Sequence, residues 1–221
     1  MTVNTLADEL DVPSGPSLSL REALRDAATG DTIVFAPELD GCTILLSRGM
    51  ISSFKGLTID ALSLPAGITL DGLQKGAIFS LSSPTLRGLN MIRGLGQGAS
   101  GQVIKLSGKT IIEHCSISSS LLKNSGRVMS HDGGTLTLRQ TSITGTRSRP
   151  PSFSGSIIFS SASQATLVNC TIASNQSDGS CINFLGGELE LIHSTLTGNR
   201  LSTGDAIFFG SPSDLLMDPA E

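Results

Sequence analysis

The chain has no tryptophan and no tyrosine among its 221 residues, and only eight phenylalanines. Sugar-binding sites commonly set an aromatic face beneath a pyranose ring, so an exposed aromatic platform is hard to build from this composition. Charge is scarce as well: 15% of residues are Asp, Glu, Lys or Arg, and 15 basic against 19 acidic residues leave a net charge of −4. That balance excludes the basic footprint a nucleic-acid partner calls for. No apolar stretch approaches the length that spans a membrane. The cysteines Cys42, Cys115, Cys170 and Cys181 follow no metal-ligand spacing, and no metal site is expected. What is abundant is glycine, 25 residues, together with serine and threonine, which suit tight turns and polar ladders.

One short phrase returns through the second half: Leu-Arg-Gly-Leu-Asn-Met (86–91), Ile-Glu-His-Cys-Ser-Ile (112–117), Leu-Arg-Gln-Thr-Ser-Ile (138–143), Leu-Val-Asn-Cys-Thr-Ile (167–172) and Leu-Ile-His-Ser-Thr-Leu (191–196). Its last residues, Met91, Ile117, Ile143, Ile172 and Leu196, are anchors spaced 26, 26, 29 and 24 apart. A period of that size means stacked supersecondary units. Leu86, Ile112, Leu138, Leu167 and Leu191 form a second apolar column. Leu89, Cys115, Thr141, Cys170 and Ser194 form a third, which on strand alternation points inward with the anchors.

A second apolar strand follows each anchor: Val103-Ile104, Val128-Met129, Ile157-Ile158-Phe159, Cys181-Ile182 and Ala206-Ile207-Phe208. Phe184 and Phe209 are expected to stack in successive coils. Gly, Ser, Asn and Asp fill the gaps and punctuate short strands rather than helices. This is the texture of a parallel β-solenoid, and Thr43–Ser47, Leu57–Asp60, Ile68–Asp71 and Ala77–Leu81 share it with a less even period. A leucine-rich repeat would need a Leu-x-x-Leu-x-Leu frame, which is absent. In the amino-terminal segment, Ser19 as N-cap and Glu22 three residues on form a capping box, with Leu20, Ala23, Leu24 and Ala27 in helical spacing and Gly30 as the stop. An amphipathic helix ahead of a solenoid reads as a cap over the first coil.

Gly-Pro-Ser-Leu-Ser-Leu-Arg-Glu-Ala-Leu (15–24), Gly-Asp-Thr-Ile-Val-Phe (30–35), Gly-Cys-Thr-Ile-Leu-Leu (41–46) and Leu-Thr-Ile-Asp (57–60) resemble the opening of bacterial secreted right-handed parallel β-helix proteins. These carry a Cys-Ser-Leu-Arg-Glu-Ala-type amino-terminal domain and share the pectin-lyase-like fold. Asn-Cys-Thr-Ile-Ala-Ser-Asn (169–175) and Ser-Thr-Leu-Thr-Gly-Asn (194–199) are similar to that family's body repeats. Leu18 stands where the eponymous cysteine would be. The resemblance implies a secreted or cell-surface protein whose signal peptide, absent from this chain, has been removed. One fold of this kind hosts lyases, hydrolases and adhesins, so it does not name a function.

Polysaccharide lyases and hydrolases need carboxylates and a basic residue in a groove. The outward candidates are Arg87, Glu113 and Arg139 on successive coils, where alternating signs about 5 Å apart also describe a salt-bridged surface ladder. Beside them run Gly88, His114, Gln140, Asn169 and His193, with His114 and His193 as candidate binding residues. His131-Asp132 ahead of Gly133-Gly134 reads as a turn. Asp60 and Asp71 lack a third carboxylate for calcium. Thr146-Arg147-Ser148-Arg149-Pro150-Pro151-Ser152 lies in the longest interval and reads as an exposed loop, where Arg147 and Arg149 could meet an acidic polymer. Cys115 and Cys170, two coils apart, are too far for a disulfide and read as core thiols; a Cys170–Cys181 bond stays open. Ser116 and Ser118, Ser142 and Thr144, Thr171 and Ala173, Thr195 and Thr197 make an outward hydroxyl ladder.

The expected architecture is all-β: a right-handed parallel β-helix of about 7–8 coils, with residues 1–41 as a capping segment containing a helix over 19–29, coils over 42–210 and a tail over 211–221. The expected role is a non-catalytic structural or adhesive module that contacts polysaccharide or cell-surface partners, without cofactor. The alternatives are a polysaccharide lyase or glycoside hydrolase, for which calcium would serve, and an ice-binding solenoid. The tail shows no clear amphipathic cap, which leaves three expectations open: Leu215, Leu216 and Met217 fold across the last coil, the chain is a piece of a longer protein, or two chains meet in end-to-end self-association.

Overall fold

A computed structural model describes residues 1–98, 101–149 and 155–210, with the backbone of 215–217. It is a parallel β-solenoid of about seven coils, each contributing one strand to each of three long sheets. The first sheet runs in nine strands from Thr2–Val3 and Thr32–Phe35 through Thr58–Asp60 and Thr110–Glu113 to Leu215–Met217. The second stacks seven strands from Thr43–Leu45 to Thr195–Thr197, and the third seven from Ile51–Ser53 to Ile207–Phe209.

The anchor column is in register through the stack and extends upstream: Ile44, Leu70, Met91, Ile117, Ile143, Ile172 and Leu196 pair coil to coil. The first-sheet column does the same from Ile33 and Ile59 through Leu86 and Ile112 to Leu191 and Met217. Such columns are self-consistent, because a one-residue slip would turn every inward side chain to solvent. In the third sheet Ile104, Met129, Ile158, Ile182 and Ile207 align. Phe184 and Phe209 meet edge to face, ring centres 6.1 Å apart at 79°.

Between the first and second sheets the chain turns through a residue at positive φ in five successive coils: Gly88 (66°), His114 (53°), Gln140 (46°), Asn169 (53°) and His193 (46°). The left-handed region costs non-glycine residues on the order of 1–3 kcal/mol each. It persists at three of them because the amide donates to the next coil: His114 to the Arg139 carbonyl (3.0 Å), Gln140 to Val168 (2.9 Å), Asn169 to Ile192 (3.0 Å). Gly88 has a further reason, since a Cβ there would lie 2.9 Å from the Ala61 carbonyl carbon. The inward residue that follows is a small donor. Cys115, Thr141, Cys170 and Ser194 donate to the carbonyls two residues back, those of Glu113 (3.3 Å), Arg139 (2.9 Å), Val168 (3.4 Å) and Ile192 (3.0 Å). All four cysteines are free, and burial pushes the Cys115 and Cys181 thiols up to about 12, so both stay protonated.

The capping helix α1 spans Leu20–Asp26, shorter than the 19–29 expected from the pattern. Ser19 is its N-cap with both arms of the capping box present. Its carboxy-terminal end is set by Ala27, which is already extended, and by a turn in which the Asp31 carboxylate accepts the Ala28 amide (2.8 Å); Gly30 stands beyond it. The Lys55 ammonium closes that end by donating to the carbonyls of Arg25 (2.7 Å) and Ala27. Leu20, Ala23, Leu24 and Ala27 enter the core that continues into the coils. Burial alone would raise the Glu22 carboxyl, but the Ser19 and Asp11 amides and the Ser19 hydroxyl outweigh it and hold it below its usual range. Arg21, paired with Asp8 at 2.7 Å, reaches the Gly49 and Met50 carbonyls and ties the cap to the first coil.

Two local readings change. His131 lies within the strand Arg127–Asp132 rather than in a turn, and its ring is fully buried in the inward file between Leu106 and Ser160. Arg147–Arg149 is a strand rather than part of a loop, pairing with Leu121–Lys123 in a small fourth sheet that begins at Leu95–Gln97. Residues 150–152 of the expected loop lie outside the described residues, as do 211–214 and 218–221 of the tail. The backbone of Leu215–Met217 adds the ninth strand to the first sheet.

Candidate functional site

Two sets of arginines face outward, and their surroundings differ. On the first sheet, Asp60, Arg87, Glu113 and Arg139 stand in register on four successive coils. Arg87 Nε donates to Glu113 Oε2 at 3.0 Å, and its Nη1 lies 3.6 Å from Asp60 Oδ2. Arg139 is exposed and makes no ion pair among the described residues; Val168 and Ile192 continue the file. One guanidinium thus joins both carboxylates along a flat sheet face. His114 and His193 sit at the corner beside this sheet, exposed and three coils apart, so the structure does not bring them together.

The second set lies past the second sheet, where the chain turns again through Arg93, Ser119, Gly145, Ser174 and Gly198 at positive φ. Counting from the anchors, these are the residues at anchor plus two. At plus three come Ser120, Thr146, Asn175 and Asn199, which point inward. At plus four come Leu121, Arg147, Gln176 and Arg200, aligned by the Leu121–Arg147 and Gln176–Arg200 pairings and by the Gln176 amide on the Thr146 carbonyl (2.8 Å). Arg147, Gln176 and Arg200 are exposed and occupy three consecutive coils.

These residues line an open groove of about 740 Å³ that also takes in Arg149, Gln74 and the turn serines, and none of its lining residues is acidic. Arg147 and Arg200 make no ion pair among the described residues. Asp178, one coil beyond Arg149, accepts hydrogen bonds from the Ser148 and Ser202 hydroxyls.

The groove floor is rigid where asparagine supplies it. Asn175 Nδ2 donates to the Ile143 carbonyl (2.8 Å) and to Asn199 Oδ1 (3.0 Å), while its Oδ1 accepts the Thr146 amide (3.1 Å). Asn199 repeats the pattern on Ile172 (2.7 Å) and the Asn175 amide (3.1 Å). In the two preceding coils the shorter Ser120 and Thr146 leave their hydroxyls buried without a partner among the described residues.

Of the residues singled out by sequence, Arg147 and Arg149 meet in this groove, whereas Arg87, Glu113, Arg139, His114 and His193 do not line it. Arg200 and Gln176 were missed, although their fixed offset of four from Leu196 and Ile172 would have shown them. The aromatic expectation also changes: Phe54 and Phe208 are exposed at 89% and 42%, and the Arg127 guanidinium lies over the Phe159 ring at 3.7 Å. None of these phenylalanines lines the groove. The outward hydroxyl file runs through Thr43, Thr69, Asn90, Ser116, Ser142, Thr171 and Thr195, but Leu45, Asp71, Ile92 and Ala173 interrupt the file beside it. Among the described residues no group of three or more His, Cys, Asp or Glu could hold a metal, and no helix is long and apolar enough to cross a membrane.

No curated protein matches the chain. Residues 65–215, which contain the groove, the anchors and the arginine ladder, match the right-handed β-helix region, and the chain belongs to that family.

Proposed function

We propose that this protein is a secreted or surface-displayed module that holds a polysaccharide along the groove at the second corner without cleaving it. The observation that carries this reading is the contrast in pairing. Arg147 and Arg200 stand in an open groove with no carboxylate in its lining, whereas Arg87, Glu113 and Asp60, the groups nearest to acid–base chemistry by type, are turned on one another. Secretion is supported by the resemblance of residues 15–60 to the opening of secreted β-helix proteins. The hydroxyls of Ser119 and Ser174 and the amide of Gln176 supply the uncharged hydrogen-bonding groups a sugar chain uses.

The test is a panel of acidic and neutral polysaccharides offered to the purified chain with and without calcium, following retention, unsaturated-product absorbance and reducing ends. Retention of an acidic polymer with no product, unchanged by calcium, is the expected result. Release of product would overturn the non-catalytic reading and assign a lyase or hydrolase. Sedimentation of the same preparation reads whether the half-buried Leu196, Leu201 and Ile207 draw chains together end to end.

A further inference from the structure

The plus-four file contains more than positive charge. Along the solenoid axis it reads arginine, glutamine, arginine at Arg147, Gln176 and Arg200. Adjacent coils are about 4.8 Å apart, so the two guanidinium side chains issue from the backbone about 9.5 Å apart with one neutral amide midway. Asp178, in the coil of Gln176, does not line the groove; it is half-buried one coil beyond Arg149, where the Ser148 and Ser202 hydroxyls hold it. The groove therefore alternates cationic, neutral and cationic coils.

A sugar chain lying along the axis advances by about one coil per extended pyranose. A polymer with a carboxylate on every sugar would set every second anion against the neutral Gln176, where no guanidinium receives it. A polymer with an anion on alternate sugars would meet Arg147, pass a neutral sugar over Gln176, and meet Arg200. Guanidinium forks bind carboxylate or sulfate in two parallel hydrogen bonds, and a primary amide offers both a donor and an acceptor to hydroxyl or acetamido groups. Resting on the polysaccharide reading above, we infer that the ligand is an acidic polysaccharide of disaccharide repeat, with one anionic group every second sugar, held parallel to the solenoid axis by Arg147 and Arg200.

The experiment compares hyaluronate, with a carboxylate on alternate sugars, with polygalacturonate, with one on every sugar, at equal chain length and low salt. The native chain is expected to hold hyaluronate at least tenfold more tightly, with affinity falling as salt rises. Gln176→Arg, which sets a third cation in the file, is expected to remove most or all of that preference by raising polygalacturonate affinity roughly tenfold. Equal or better binding of polygalacturonate by the native chain would overturn the alternation while leaving polysaccharide binding in place. Binding of neither polymer, with a native circular dichroism spectrum, would overturn both.

Discussion

The first sheet and the second corner both carry arginines outward on alternate coils, and the same side chain does different work in each. On the sheet, Arg87 has Glu113 at 3.0 Å on one side and Asp60 at 3.6 Å on the other, and the local charge is matched within the protein. At the corner, Arg147 and Arg200 are neighboured by Gln176, Ser119 and Ser174, and any matching charge must come from outside. The period of the solenoid explains both arrangements. Parallel stacking sets equivalent residues of successive coils side by side, so an acid–base alternation in the sequence becomes a ladder and an arginine–glutamine alternation becomes a spaced row.

Breaking the row should give the largest effect. Arg147→Ala with Arg200→Ala is expected to weaken binding of an alternating polyanion about a hundredfold, two charge-assisted contacts at roughly tenfold each. Thermal midpoints should stay within a degree or two, because both side chains are exposed. Arg87→Ala in the same titration should leave affinity unchanged. If the sheet variant lost binding as strongly as the corner variant, the contrast between the two regions would fail.

The groove floor links binding to stability. Asn175→Ala removes a buried amide that accepts the Thr146 amide and donates to the Ile143 carbonyl, leaving both backbone groups without their partner. The expected loss is about 2–3 kcal/mol in urea unfolding. Serine at this position should recover little of it, because its hydroxyl reaches neither group, as Ser120 and Thr146 show in the coils before.

His131 sharpens the comparison from the inside, as a titratable group with no countercharge in contact. Its Nε2 meets the Gly108 carbonyl at 2.9 Å, its Nδ1 is buried without a partner among the described residues, and it faces Leu106 and Ser160 in the neighbouring coils with Asp132 next in the chain. Burial lowers its affinity for a proton, against smaller opposing effects of the Gly108 carbonyl and Asp132. The unfolded chain, at the ordinary value of 6.5, takes up the proton first. The native state therefore keeps its full advantage above that value and loses it as the pH falls below it, toward the lowered native value. Urea unfolding at pH 7.5 and 5.5 should show a drop that His131→Leu reduces; an equal drop in both proteins would assign the acid sensitivity to the carboxylates.

The inward columns were legible because each holds a fixed offset from its anchor and an apolar or small donor residue in every coil. The first corner was half legible. Gly88 and Asn169 are residues that favour positive φ, but Gln140 is not, and there, as at His114, the conformation is imposed by an amide that must reach the next coil. Arg147–Arg149 reads as loop in the sequence because it lies in the longest interval between anchors, where extra residues bulge out; its pairing with Leu121–Lys123 is a tertiary contact that local preference does not carry. His131 was assigned to a turn by the glycines after it, whereas its file with Leu106 and Ser160 needed the third-sheet register, which variable loops before that sheet conceal.

The smallest effects separate the two regions most cleanly. Thr146→Asn should extend the asparagine file by one coil, replacing a buried unpartnered hydroxyl with an amide placed like that of Asn175, and raise stability by about 1 kcal/mol. On the sheet, Arg87→Ala should lower it by less than about 1 kcal/mol, since the Arg87 side chain is 37% exposed and its ion pairs are screened by solvent. A double variant should show the two changes adding, because the sites share no partner. Strong coupling between them in denaturant unfolding would mean that the charge ladder and the groove floor strain one another through the coils. In that case Arg87 and Thr146 could no longer be treated as parts of separate surfaces, and loss of binding at the corner would have to be re-examined for a contribution from the sheet.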